Sequence, residues 1–216
     1  MSTLSLRAAF VRALLGATLL TAMACTPVQV LTHSVSQNEA RVPPGRYEID
    51  PDHCSITFDI DHFKYSRFTA RFDRKKGELD WNEGGLDKST TSVTIDAASI
   101  DTNVPLLDKM VKSASLLDVE RYPEIRFVST RFERTGESRG TLTGDLTIHG
   151  VTQTVTLDVT FNGFAPDPLT KKDTLGFSAE GHFSRAKFGL ATWYPAVGDD
   201  VHVRIQAEFV KTPAGG

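Results

Sequence analysis

The stretch Val201-His202-Val203-Arg204-Ile205-Gln206-Ala207-Glu208-Phe209 decides the fold. Apolar side chains occupy every second position and polar or charged ones fill the gaps. That is the two-residue period of an extended strand with one buried and one wet face. The same period runs through Ile56, Phe58 and Ile60, through Phe68, Ala70 and Phe72, and through Val93, Ile95 and Ala97. It returns in Val155, Leu157, Val159 and Phe161, and again in Phe177, Ala179, Gly181 and Phe183. From Arg46 to Lys211 it dominates, as expected for antiparallel strands around a single interior.

Turn-forming clusters separate these runs: Arg74-Lys75-Lys76-Gly77, Asn82-Glu83-Gly84-Gly85, Arg134-Thr135-Gly136-Glu137 and His149-Gly150 all read as hairpin material. Many strands joined by tight turns give a sandwich or a closed barrel. One segment departs from the pattern. Between Asn103 and Glu120, Leu106, Leu107, Met110, Val111, Ala114 and Leu117 recur at three- and four-residue intervals. This spacing predicts one long or two short helices ending before Tyr122-Pro123, serving as a lid on a barrel mouth or as cover for an open sheet face.

The whole chain of 216 residues carries 24 Lys and Arg against 27 Asp and Glu, a net charge of −3. No basic domain marks a nucleic-acid footprint. At the N-terminus, Arg7 and Arg12 precede an uncharged run from Ala13 to Ala24, the pattern of a secretory signal over residues 1–24. The run is too short to span a bilayer, which takes about 20 apolar residues. Ala22-Met23-Ala24 suits ordinary signal cleavage, and Ala24 before Cys25 resembles a lipobox that makes Cys25 a lipidated first residue. Residues 25–44 then read as a polar, Pro-containing tether, residues 45–211 as one domain and residues 212–216 as a tail. Removing Arg7 and Arg12 and no acid lowers the net charge from −3 to −5. With Cys25 acylated, Cys54 is the single thiol and no intrachain disulfide forms.

The order of motifs is recognisable. Tyr47-Glu48-Ile49-Asp50, Asp52-His53-Cys54 and Phe58-Asp59-Ile60-Asp61-His62 come first. Ser99-Ile100-Asp101-Thr102, Tyr122-Pro123-Glu124-Ile125-Arg126-Phe127, the Gly144 to Thr152 run and Ser184-Arg185-Ala186-Lys187-Phe188-Gly189 follow. In this order they resemble the YceI-like family of bacterial secreted proteins, over about Gly45 to Lys211. The chain departs from the family pattern at Cys54, at Leu107-Asp108 and at Leu116-Leu117, positions that bear on pocket shape. The resemblance implies an all-β fold, an eight-stranded antiparallel lipocalin-like barrel with a helical segment near 103–120. It also implies a bound long isoprenoid lipid, a polyprenyl phosphate or a quinone, as ligand rather than cofactor. The expected setting is the periplasm, with a membrane anchor through Cys25 and no catalytic or metal site. The competing readings are a small thiol- and His-dependent enzyme or redox factor, and a packed barrel acting through its surface.

The expected ligand-binding residues are Phe58, Ile60, His62, Phe68, Phe72, Val93, Ile95, Met110, Phe127, Phe161, Phe177 and Phe188. His62 shares parity with Ile56, Phe58 and Ile60, so it faces inward, either toward a ligand oxygen or as a core histidine satisfied by a backbone carbonyl. His53 has the opposite parity and faces out. A catalytic Cys54 needs a base beside the sulfur, but strand neighbours point to opposite faces, which favours an inert buried thiol. Arg185 and Lys187 read as either an anionic head-group site or an ordinary solvated strand end. Trp193 and Tyr194 suit a rim, a membrane surface or simple loop packing. The six histidines show no compact metal-ligand spacing.

Overall fold

The structure is a computed structural model that describes residues 30–213. The expected signal segment and Cys25 lie outside the described residues. Eleven strands form one antiparallel sheet: β1 (Gly45–Ile49), β2 (Ser55–His62), β3 (Ser66–Phe72), β4 (Lys75–Trp81), β5 (Thr90–Asp96), β6 (Ile100–Asp101), β7 (Glu124–Gly136), β8 (Arg139–Ile148), β9 (Val151–Pro166), β10 (Asp173–Ser184) and β11 (Val197–Lys211).

Register reduces the eleven to eight strand lines. β1 pairs with β4 while β2, its continuation, pairs with β3. β4 pairs with β5 while β3 pairs with β6, the continuation of β5. The first three lines are therefore single strands that bend. β11 then pairs along most of its length with the first line, Ile205 opposite Ile56 and Phe209 opposite Ile49, which closes the barrel. Every neighbour is consecutive in sequence apart from this closing pair, and closure leaves no long sheet edge exposed.

The bends explain one misread turn. Arg74 to Gly77 does not reverse the chain. Asp96 N donates to Arg74 O at 3.0 Å and Lys75 pairs with Ile95, so the strand line continues through a bend. By contrast, His149 and Gly150 both have positive φ, 53° and 73°, and form the two-residue hairpin turn expected of them.

The two ends differ. At the floor the chain enters at Gly45 and leaves at Lys211, and Thr212 N bonds Arg46 O at 3.0 Å. The residues read as a tether begin to pack here before Gly45. Ser36 exchanges two 2.9 Å backbone bonds with Phe164, and Glu39 pairs with Arg134 at 2.9 Å and accepts from Leu86 N. Val42 is buried beneath them. Tyr47, Phe161, Leu175 and Trp81 fill the floor. Tyr47 donates its hydroxyl to Pro43 O at 2.7 Å, so its burial leaves no polar atom stranded.

At the opposite end, the mouth, the β2–β3 turn, residues 102–123, the His149 turn and residues 185–196 come together. The helix there, α1 (Pro105–Lys112), is shorter than the 103–120 stripe suggested. Pro105 opens it, where a missing N–H costs nothing. Asp108 Oδ1 accepts from Thr102 N at 2.8 Å and from the Thr102 hydroxyl at 2.6 Å, which fixes the turn before the helix. After Lys112 the backbone leaves the helix through Ser113, whose hydroxyl bonds Met110 O at 2.7 Å. No residue of α1 is buried, but Leu107 and Val111 point to the interior while Leu106 and Met110 face solvent. No helix among the described residues is long and apolar enough to cross a membrane.

Candidate functional site

Between floor and mouth the barrel encloses a cavity of about 570 Å³, within the size range of small-molecule sites. Its wall is hydrocarbon over most of its length: Phe58, Ile60, Phe72, Val93, Phe127, Leu146, Val155, Val203 and their neighbours. Polar lining groups sit toward the two ends. Ser89, Thr90 and Thr91 lie toward the floor, and His62, Thr102 and Arg185 toward the mouth. Small residues keep the middle open. A Cβ on Gly144 would lie 2.4 Å from the Phe127 ring, and one on Gly140 2.2 Å from Phe132. Both rings therefore lie against the glycines of β8, in space a side chain there would take.

Nine of the twelve residues expected at a ligand site line this cavity: Phe58, Ile60, His62, Phe68, Phe72, Val93, Ile95, Phe127 and Phe177. Alternation places them, because each sits at an inward position of a strand. Three do not. Phe161 is fully buried in the floor, between Trp81 at 5.5 Å and Phe177 at 5.4 Å between ring centroids, beneath the cavity. Phe188 is buried beside Phe183 at 5.5 Å, in the short helical turn after β10. Met110 is 42% exposed on the outer side of α1, because the short helix turns only Leu107 and Val111 inward.

The His62 ring lies edge-on to Phe63 at 4.5 Å and near Phe68 at 6.0 Å, half-buried at the mouth, and takes aromatic neighbours in place of a carbonyl partner. His53 is exposed with Nδ1 2.9 Å from Asp50 Oδ2. That hydrogen bond and charge pull its pKa upward and hold the ring on the outer surface. Cys54 is buried in the cavity wall, and burial raises its thiol pKa. A raised pKa keeps the sulfur protonated and poorly nucleophilic. His182 and His202 stack at 4.3 Å on the outer face, engaged by Asp200 and Asp59.

Arg185 is neither a solvated strand end nor freely poised. It is 7% exposed, lines the cavity, and gives all four of its hydrogen bonds to backbone carbonyls: Gly198 at 2.7 Å, Val197 at 2.8 Å, Thr192 at 2.9 Å and Leu190. One guanidinium thus clasps the loop 190–198 that walls the mouth. Burial lowers its pKa, only partly opposed by Asp199. Lys187, by contrast, is exposed. Trp193, one of the two aromatic residues expected at a rim, lines the mouth; Phe63, in a turn where no periodicity operates, and Phe132 and Leu142, beside a bulge in β7, line the cavity without having been expected there.

A closed antiparallel barrel of eight strand lines around an apolar interior is a lipocalin-like barrel. The YceI-like domain model matches residues 47–209, and the chain belongs to the YceI-like family. A UPF0312 protein of Pseudomonas putida (strain W619) is 38% identical over 148 residues, covering 68% of this chain and 77% of that one. Another, from Pseudomonas fluorescens (strain SBW25), is 35% identical over 173 residues, 79% and 89% of the two chains. Among solved structures, the YceI protein of Campylobacter jejuni superposes with a TM-score of 0.64 at 26% identity, covering 71% of this chain and 91% of its own. Burkholderia cenocepacia BcnA gives a TM-score of 0.67 at 22% identity, with 74% and 98% covered. A Saccharophagus degradans domain described as polyisoprenoid binding gives 0.60 at 12% identity, with 77% and 98% covered, a likeness of fold alone.

Proposed function

We propose that the protein binds one long apolar molecule, an isoprenoid lipid such as a polyprenyl phosphate or quinone, and sequesters or carries it in the bacterial cell envelope without transforming it. The carrying observation is the cavity of about 570 Å³ walled by hydrocarbon, with polar groups confined to its ends. The polyisoprenoid-binding description of the Saccharophagus degradans domain supports the same class of ligand. Burying methylenes from water is worth about 0.8 kcal/mol each, but a bilayer offers the same solvent. Selectivity then rests on chain shape and on head-group contacts near His62, Thr102 and Arg185. The signal-like segment and Cys25 support export to the periplasm and a lipid anchor, which would keep the barrel where its ligand is concentrated.

Native mass spectrometry with lipid extraction of the purified protein tests this reading. One long-chain ligand per barrel is expected. Ala179→Phe, which adds a ring at the cavity wall, should empty the barrel while leaving its circular dichroism unchanged. A wild-type barrel that is repeatedly empty and takes up neither polyprenols nor quinones would sink the proposal.

A further inference from the structure

The exposed apolar residues are not spread evenly over the molecule. Among the described residues twelve large hydrophobic side chains are strongly exposed, and seven of these lie at the mouth, including all four aromatic ones. Phe63 and Tyr65 project from the β2–β3 turn, Leu106 and Met110 from the outer side of α1, and Trp193 and Tyr194 from the loop before β11. Backbone and side-chain bonds join these segments into one rim. Phe63 N donates to Ala196 O at 2.7 Å, and the Thr192 hydroxyl donates to Ser115 O at 2.8 Å.

Three observations identify what this rim fits. Tyr65 is 90% exposed, Tyr194 63% and Trp193 42%; amphipathic aromatic rings of this kind suit the headgroup level of a bilayer. The charged residues within the three rim segments (63–65, 104–112 and 190–196) are Lys64, Lys109, Lys112 and Asp108. Asp108 keeps its charge, its pKa lowered by the hydrogen bonds from Thr102. Three lysines against one carboxylate leave these three segments net positive, beside Asp118, Glu120 and Arg121 of the adjoining loop 113–123. The rim is also continuous with the cavity, since Phe63 and Trp193 belong to both. A protein partner would need complementary shape. A fluid anionic surface needs only apolar tips between basic side chains.

We propose that the mouth docks on an anionic lipid bilayer, with Tyr65, Leu106, Trp193 and Tyr194 seated at the headgroup level and Lys64, Lys109 and Lys112 facing lipid phosphates. In this position the cavity opens onto the acyl region, and an apolar molecule can pass between bilayer and barrel without crossing water. The docking surface is separate from the ligand reading and stands whichever molecule fills the cavity.

The two tryptophans provide the test, because Trp81 is buried in the floor and Trp193 is exposed on the rim. The full chain is titrated with phosphatidylcholine vesicles and with vesicles that also contain phosphatidylglycerol, in each case with and without bromine-labelled lipid. Trp193 emission is expected to shift to shorter wavelength and to be quenched by the labelled lipid, more strongly on the anionic vesicles, while Trp81 is unaffected. Tyr65→Ser combined with Leu106→Ser should weaken this response about tenfold. Neither residue lines the cavity, so ligand already bound should stay bound in the double variant. Its loss from the wild type as well would count against the ligand reading and not against docking. All forms share the N-terminal apolar run, so membrane binding through that run does not separate wild type from variant. An unchanged Trp193 signal on both vesicle types would overturn the proposal. So would an equal response from the double variant, or a blue shift that grows with protein concentration alone, which would mean a second copy covers the rim.

Discussion

The floor and the mouth of this barrel are ends of the same eight strand lines, yet they are finished in opposite ways. At the floor Tyr47, Phe161 and Leu175 have no exposed surface and Trp81 is 2% exposed. A chain of rings runs from Trp81 through Phe161 and Phe177 to Phe209 at 5.4 to 5.8 Å between centroids. At the mouth α1 buries none of its residues and the loop 190–198 is clasped by one guanidinium. The floor is closed by packed aromatic rings, whereas the outermost layer of the mouth is an exposed helix and a clasped loop. A second buried cluster, with Leu117, Ile148, Phe188 and Leu190, lies beneath the mouth segments, so only the outermost cover at that end, α1, is loosely packed.

Three substitutions break or sharpen that contrast. Phe161→Ala should cost about 3–5 kcal/mol, since it leaves a void among rings that cannot collapse onto it. Urea unfolding followed by fluorescence measures this, and a cost under about 1 kcal/mol would show that the floor rings are not tightly packed. A smaller effect is expected on the wall that carries the mouth hairpin. Asp59 is buried on the outer face, engaged by Arg67, by Arg204 at 3.0 Å and by His202 at 3.3 Å. Burial works to raise its pKa, but the Arg67 hydrogen bond and the surrounding positive charges outweigh it and hold the carboxyl below its usual range. A lowered folded-state pKa contributes stability above the unfolded carboxylate value and loses it as pH falls through the folded value. Asp59→Asn should therefore cost about 1 kcal/mol at neutral pH, because both arginines are half-exposed, and the deficit should vanish in acid. Thermal melts across the acidic range would show it, and a pH-independent deficit would contradict the ion-pair account. Leu106→Ala should change stability by no more than about 0.5 kcal/mol. A larger loss in the same urea experiment would mean that the mouth is packed more tightly than its exposure indicates.

The sequence made the wall legible because the wall obeys a period. Phe58, Ile60, Phe72 and Phe127 line the cavity for the same reason that Val203 does: inward parity on a strand. Parity could not say how far along the barrel an inward residue lies. Phe161 therefore shared its signature with cavity residues while belonging to the floor. Phe188 and Met110 lie outside strands, where parity does not operate, and local turns set their directions. The Arg74–Gly77 cluster has turn composition, yet strands on both sides hold it to a bend. Arg185 has no local signature. Its four carbonyl partners belong to a loop whose path no local pattern specifies.

Both described ends of the chain leave from the floor, and the packing of Ser36, Glu39 and Val42 fixes the N-terminal side there. Whatever holds the molecule by either terminus grips it at its base, with the opening pointing away. The separation is set by strands such as β11, 15 residues long at about 3.3 Å each. A barrel fastened by residues before Ser36 presents its opening to a facing surface more readily than to the one that holds it. That polarity suits reaching across a gap, and it makes the C-terminus a safe point for a tag or an immobilising link.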